Sequence, residues 1–357
     1  MSRNPSRYNS AWPPESLESV PACPICHSTG RRVLHQDLVD DTFFTAPGKW
    51  TLHQCIGCGS AYLDPRPTLA SIGAAYAEYY THGSAAVAPM GRLKTIAKRV
   101  LRSFSDHYTA SLADPRHPWK SIGAALSVAC VKALPPCREV IDARYRHLHC
   151  PAPGADRLLD LGCGAGDFLE RAQSLGWRGE GVDFDPQAVA AARARGLQVS
   201  VGSIDSYSEV RDLFDVVTCN HVIEHVYDPQ AVIASIYRIL KPGGQIWIET
   251  PNISSAGHML FGRAWRGLEA PRHVAIFSYR ALVDALRQGG FSINHVTPWN
   301  IQHIRQMFAC SEAIEARGDP HDTRTPLFPN RRLRRGLWLQ TLHVERREFI
   351  CLRAGKP

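Results

Sequence analysis

No run of apolar residues in this 357-residue chain approaches the roughly 18 that a membrane span needs. The first residues, 1–26, carry no apolar core behind their basic side chains. No secretory leader is therefore expected, and a cytoplasmic location is. Extremes of composition are also missing. Hydrophobic residues make up 44% and charged residues 21%, values that exclude wholesale disorder and fibrous repeats. Cysteine is not scarce, but its count of 11 is odd, which speaks against a disulfide framework.

The net charge of +8 is unevenly spread. Residues 84–150 carry 11 basic and 4 acidic side chains, whereas residues 151–302 carry 13 and 16. A nucleic-acid binder would concentrate basicity on a recognition element. The pattern here reads as a solubilising surface, and no nucleic-acid partner is expected. Within the basic stretch, Arg92, Lys98, Arg99 and Arg102 flank Leu93, Ile96, Val100 and Leu101. Such a basic amphipathic helix covers a protein face or makes peripheral contact with an anionic membrane.

Four cysteines are paired. Cys23-Pro24-Ile25-Cys26 is followed, after 28 intervening residues, by Cys55-Ile56-Gly57-Cys58. Two C-x-x-C knuckles can close a tetrahedral thiolate site around structural zinc, with no position left open for a catalytic water. Strand-like pieces at 31–35 and 50–54 lie between them, as in a zinc ribbon. The tyrosine-rich stretch at 75–80 reads as a short helix that packs the module or reaches over a site. The expected division is a flexible N-terminus (1–20), a zinc-binding module (21–83), a basic helical spacer (84–150) and a cofactor-binding domain (151–357).

From residue 154 the pattern becomes strand, glycine loop, helix, strand. Arg157–Leu161 is a short apolar strand, Gly162-Cys163-Gly164-Ala165-Gly166 the loop, and 167–175 the helix. A second strand ends at Asp183, and Asp185-Pro186 starts another helix as N-cap and first helical residue. This is a βαβ unit with its ligand at the carboxyl ends of the strands. A dinucleotide loop spaces its glycines G-x-G-x-x-G to seat a pyrophosphate on the helix N-terminus. Here the glycines alternate, and Asp167 would oppose a diphosphate. Asp160 and Asp183 at the two strand tips suit a ligand with an amino group and a ribose.

The stretches L-L-D-L-G-C-G-A-G-D-F (158–168), G-V-D-F-D-P (181–186), F-D-V-V-T-C-N-H-V-I-E-H-V (214–226) and L-K-P-G-G-Q-I-W-I-E-T-P-N (240–252) resemble the class I S-adenosylmethionine-dependent methyltransferases. With the cysteine knuckles ahead, the chain resembles bacterial sugar- and glycan-modifying methyltransferases, including deoxysugar C-methyltransferases. The resemblance implies an α/β fold: a seven-stranded Rossmann-like sheet with an N-terminal zinc ribbon and a helical spacer. It implies S-adenosyl-L-methionine as cofactor. Gly162, Cys163, Gly164 and Gly166 would line its methionine part, with Asp160 near the amino group. Asp183 would take the ribose hydroxyls and Phe184 would lie on the adenine. Ser203 and Ile204 would read the adenine edge, although many relatives have an aspartate where Ser203 stands. Asn220 and His221 would face the sulfonium side.

The loop at 261–273 suits a small-molecule or glycan acceptor, free or nucleotide- or lipid-linked: Trp265 to cover a sugar face, Arg266 and Arg272 to grip an anion. Methyl transfer to a hydroxyl needs a general base. His225, with Glu224 as its partner, is the first candidate and His273 the second. The expected function is methylation of a sugar or glycan intermediate, O-methylation ahead of C-methylation. The alternatives are methylation of a quinone-like or other small aromatic hydroxyl, and an inactive cofactor-binding adaptor. Residues 317–335 read as a loop, and 291–299 and 344–353 as the last two strands.

Overall fold

The computed structural model describes residues 10–76, 92–114, 116–296, 301–318 and 331–357. The chain divides into two compact units, residues 1–79 with 219–357, and residues 80–218.

In the first unit, β2 (Arg31–Leu38), β3 (Trp50–Cys55) and β4 (Ala61–Leu63) form an antiparallel ribbon. A fourth strand, β11 (Ala275–Ile276), joins it by pairing with β4. The expected division at residue 83 is therefore corrected: a strand some 200 residues downstream completes the sheet of the cysteine module. Residues 10–20, expected to be flexible, are tied down. Strand β1 (Leu17–Glu18) pairs with β5 (Arg66–Pro67), and Trp12 packs edge-on against Trp50 with ring centroids 5.5 Å apart. Trp12, Trp50, Leu52, Leu63, Phe261, Trp265 and Phe308 share one apolar core, so the module has no interior of its own.

The described part of the second unit opens with the helices Arg92–Ala113, Ile122–Ala133 and Pro135–Arg144, where the helical spacer is expected. It continues through β6 (Arg157–Leu161), β7 (Arg178–Asp183), β8 (Gln198–Val201) and most of β9 (Phe214–Asn220). Strands β6, β7 and β8 are parallel and run in the order β9-β6-β7-β8. The helices that follow β6 and β7, Asp167–Ser174 and Pro186–Ala194, begin where the sequence places them. Asp185 caps the second, accepting from the backbone N–H of Gln187 at 2.8 Å.

Back in the first unit, β10 (Leu240–Pro251) pairs antiparallel with β13 (Phe349–Gly355), and β13 with β12 (Ser292–Val296). These complete the seven strands of one mostly parallel sheet. Strand β13 begins at Phe349 rather than 344, because Val344–Arg346 forms a 3-10 turn. Two helices went unread, Ile301–Arg317 and Arg331–Leu342. The second occupies residues 331–335 of the expected loop, whose residues 319–330 lie outside the described ones.

Candidate functional site

The glycine loop of the second unit is bound to the tip of β7. Gly162, Gly164 and Gly166 have φ of +67°, +52° and +84°, a left-handed bend that side chains resist. Asp183 holds the bend. Its Oδ2 accepts from the N–H of Gly164 at 2.8 Å and its Oδ1 from the N–H of Asp185 at 2.9 Å. Each oxygen keeps a further lone pair for a ribose hydroxyl. The loop is closely fitted: a Cβ on Gly181 would meet Cys163 Sγ at 2.7 Å. Phe184, next along, is 59% exposed. Ser203 caps a 3-10 turn and Ile204 behind it is buried. Cys163 is a buried thiol, pushed up to about 12 by burial and by the charges of Asp160 and Asp183, and so stays protonated.

Asp160 is fully buried, and its Oδ1 takes Arg146 Nη1 and, at 2.8 Å, the hydroxyl of Thr218. Its Oδ2 has no hydrogen-bond partner among the described residues. Burial raises its pKa, opposed by Arg146. Arg146 itself stands at φ +48° with its guanidinium 3.8 Å over the Phe168 ring. Sequence reasoning assigned Arg146 to the spacer and gave it no role. Nothing in R-Y-R-H marks it, since its partner lies in a strand formed later in the chain.

The first unit holds a cluster of histidines and carboxylates. His221, at φ +54°, lies between two acids, its Nδ1 3.4 Å from Glu224 Oε1 and its Nε2 3.3 Å from Glu249 Oε1. Burial disfavours the imidazolium, but these two carboxylates outweigh it and lift His221 to about 10. Burial would likewise raise Glu224 and Glu249, yet contact with His221 brings each down to about 2. Glu224 is further fixed by Thr250, which donates to Oε2 at 3.0 Å. Asn220, beside His221, has an Oδ1 without a hydrogen-bond partner among the described residues.

His225 Nδ1 is 2.9 Å from the carbonyl oxygen of Arg272 and 3.0 Å from the Tyr76 hydroxyl. A carbonyl only accepts, so it favours the tautomer with the proton on Nδ1, leaving the lone pair on Nε2. His273 stacks edge-on against it, centroids 4.9 Å apart. His273 donates from Nδ1 to the Gly267 carbonyl at 2.8 Å, is 5% exposed, and is pushed down to about 4 by burial. The partly exposed His225 is thus better placed than the buried His273 to take a proton from a ligand.

Two of the expected acceptor residues are corrected. Trp265 is 2% exposed and donates from Nε1 to Glu348 at 2.8 Å, and Arg272 is fully buried against Asp40. Both are committed to the interior because partners distant in the chain take up their polar groups. Arg266 is partly buried and pairs with Glu269 at 2.8 Å.

The four cysteines converge. Cys23 Sγ lies 3.8 Å from Cys58 Sγ, and Cys26 Sγ 3.5 Å from Cys55 Sγ. All four sulfurs fall within 4.8 Å of one another. Tetrahedral zinc with bonds of about 2.3 Å sets its sulfurs about 3.8 Å apart, so the donor set fits that ion.

Residues 132–296 match a family described as a methyltransferase domain. The ubiquinone biosynthesis O-methyltransferase of Xanthomonas oryzae is 40% identical over 111 residues, covering 29% of this chain and 46% of the relative. That of Thiobacillus denitrificans is 32% identical over 133 residues, covering 35% and 57%. The chain thus matches about half the length of these relatives. Among solved structures, the Haemonchus contortus phosphoethanolamine N-methyltransferase 2 in complex with S-adenosyl-L-methionine aligns with a TM-score of 0.40 at 20% identity, covering 62% of this chain and 52% of that one. The match to a methyltransferase domain lies over the glycine loop.

Proposed function

We propose that the chain is an O-methyltransferase that uses S-adenosyl-L-methionine to methylate a hydroxyl of a small-molecule acceptor, with His225 as general base. The observation that carries the reading is the glycine bend pinned by Asp183, within residues that match a methyltransferase domain. The donor, when bound, supplies an activated methyl group; the chain supplies binding, orientation and proton removal. Asp183, Phe184 and the glycine loop would hold its nucleoside and Asp160 its amino-acid end. His225 takes the acceptor proton on Nε2, and its Nδ1–H remains anchored on the Arg272 carbonyl. Glu224 is kept ionised by His221.

A quinone-like aromatic hydroxyl is the favoured acceptor, because the relatives carry that activity in their names and because Trp265 and Arg272 are withdrawn from any sugar-binding face. A sugar or glycan hydroxyl is the second reading, supported by the polar ring of His221, Glu224, Glu249 and His225. We further propose that Cys23, Cys26, Cys55 and Cys58 hold structural zinc, and metal analysis should return about one ion per chain. The deciding experiment is a calorimetric titration followed by turnover assays on catechols and nucleotide-sugars. Micromolar binding of the donor is expected, lost in Asp183→Ala. His225→Asn should keep that binding and lose turnover by roughly a hundredfold or more. Failure to bind the donor would overturn the reading. Binding without turnover on either panel would return the adaptor alternative.

A further inference from the structure

The helix Ile122–Ala133 is apolar on both sides. Its inner face, Ala124, Ser127, Val128 and Val131, is buried. Its outer face carries Ile122, Leu126, Ala129, Cys130 and Ala133, and Leu134 continues the stripe. Ile122, Leu126 and Leu134 are 82%, 61% and 55% exposed, and the helix itself contains a single charged residue, Lys132. A surface helix ordinarily turns a polar face to water, and one that is apolar all round is covered on both sides.

The surroundings of the stripe identify its cover. From 115 to 138 the chain has four basic residues and no acidic one, and Arg116, Lys120 and Lys132 are exposed. The nearest acids are engaged within the chain: Asp114 with Lys120 at 2.9 Å, Glu139 with Arg138 at 3.0 Å. A second copy docked by two-fold symmetry would bring like patches together and set these cations against themselves. A partner with negative charge and an apolar layer beneath it suits both features, and an anionic lipid bilayer has that arrangement.

We propose that the outer face of this helix seats the chain on an anionic membrane surface, with Ile122, Leu126 and Leu134 entering the headgroup–acyl boundary and Arg116 and Lys132 meeting lipid phosphates. The inference does not depend on the reading of the active site. It places the membrane contact expected of the basic spacer (84–150) on this helix.

Flotation of the full chain with vesicles of phosphatidylcholine alone, or of phosphatidylcholine mixed with phosphatidylglycerol, tests it. The chain should float with the anionic vesicles, less so as salt rises, and poorly with the neutral ones. Leu126→Asp, a change at an exposed site that should leave the unfolding midpoint unmoved, should lower the bound fraction at least about tenfold. Lys132→Glu should weaken binding at low salt more than at high salt. Absence of flotation with anionic vesicles, or equal flotation of Leu126→Asp, would overturn the proposal. So would a concentration-dependent self-association that Leu126→Asp abolishes, since that would give the face to a second copy.

Discussion

Two buried aspartate–arginine pairs in this molecule look alike and differ in what they leave over. In the first unit, Asp40 receives Arg272 through both terminal nitrogens. It also accepts from the backbone N–H groups of Phe43, Thr45 and Ala46 at 3.0, 2.8 and 2.9 Å. Burial would raise this carboxyl, but Arg272 and the backbone donors hold it below the usual range. In the second unit, Asp160 receives Arg146 and Thr218 on one oxygen only, the other has no partner among the described residues, and burial prevails. A carboxylate with both oxygens taken up is a staple. A pair with an orphaned oxygen holds a lone pair in reserve, and a buried orphan has a cost that a ligand can relieve.

The largest expected effect tests the staple. Arg272→Met strands a buried carboxylate and should cost about 3–5 kcal/mol of stability, read from urea unfolding. A cost below about 1 kcal/mol would mean that Asp40 finds water and the pair is no staple. Next comes the orphan. Asp160→Asn should weaken donor binding roughly tenfold to a hundredfold by calorimetry, about 1.4–2.8 kcal/mol. If only stability falls and affinity holds, the two pairs are the same kind and the distinction fails.

A third buried acid, Glu348, has no arginine paired with it among the described residues. It accepts from the Gly257 N–H at 2.6 Å and the Trp265 indole at 2.8 Å. Burial lifts it to about 7, with these two donors opposing. Its folded pKa lies above the unfolded one, so its contribution to stability is complete below about pH 4.5 and is lost as pH rises through about 7. The loss should be about 3 kcal/mol by thermal melts across that window, and Glu348→Gln should flatten the profile.

Local chemistry is what the sequence announces. Asp185 caps the helix that starts beside it, and Asp183 meets the glycine loop only 19 residues back within one βαβ unit, so their spacing describes their geometry. The cysteine knuckles are legible for the same reason. Arg272 was misread because its partner Asp40 is 232 residues away, and a loop rich in arginine looks solvated until its acid is located. Trp265 was misread alike, its acceptor being 83 residues distant. Arg146 and Glu249 were missed because each gains meaning only from the strand or helix that folds against it. The two unread helices, Ile301–Arg317 and Arg331–Leu342, flank a proline- and arginine-rich stretch whose composition masked their periodicity.

The pairing of β4 with β11 bears on how this protein can be taken apart. A knuckle domain that closed its own sheet could be cut off or traded between proteins like a bead on a string. Here, removing everything ahead of residue 80 would bare one edge of β11 and uncover apolar faces of Ile276, Phe261 and Trp265, which share a core with Leu63, Leu52 and Trp50. The amino-terminal segment is thus a wall of the building rather than an annex, and a truncation meant to isolate the catalytic part would yield a sticky, half-finished fold.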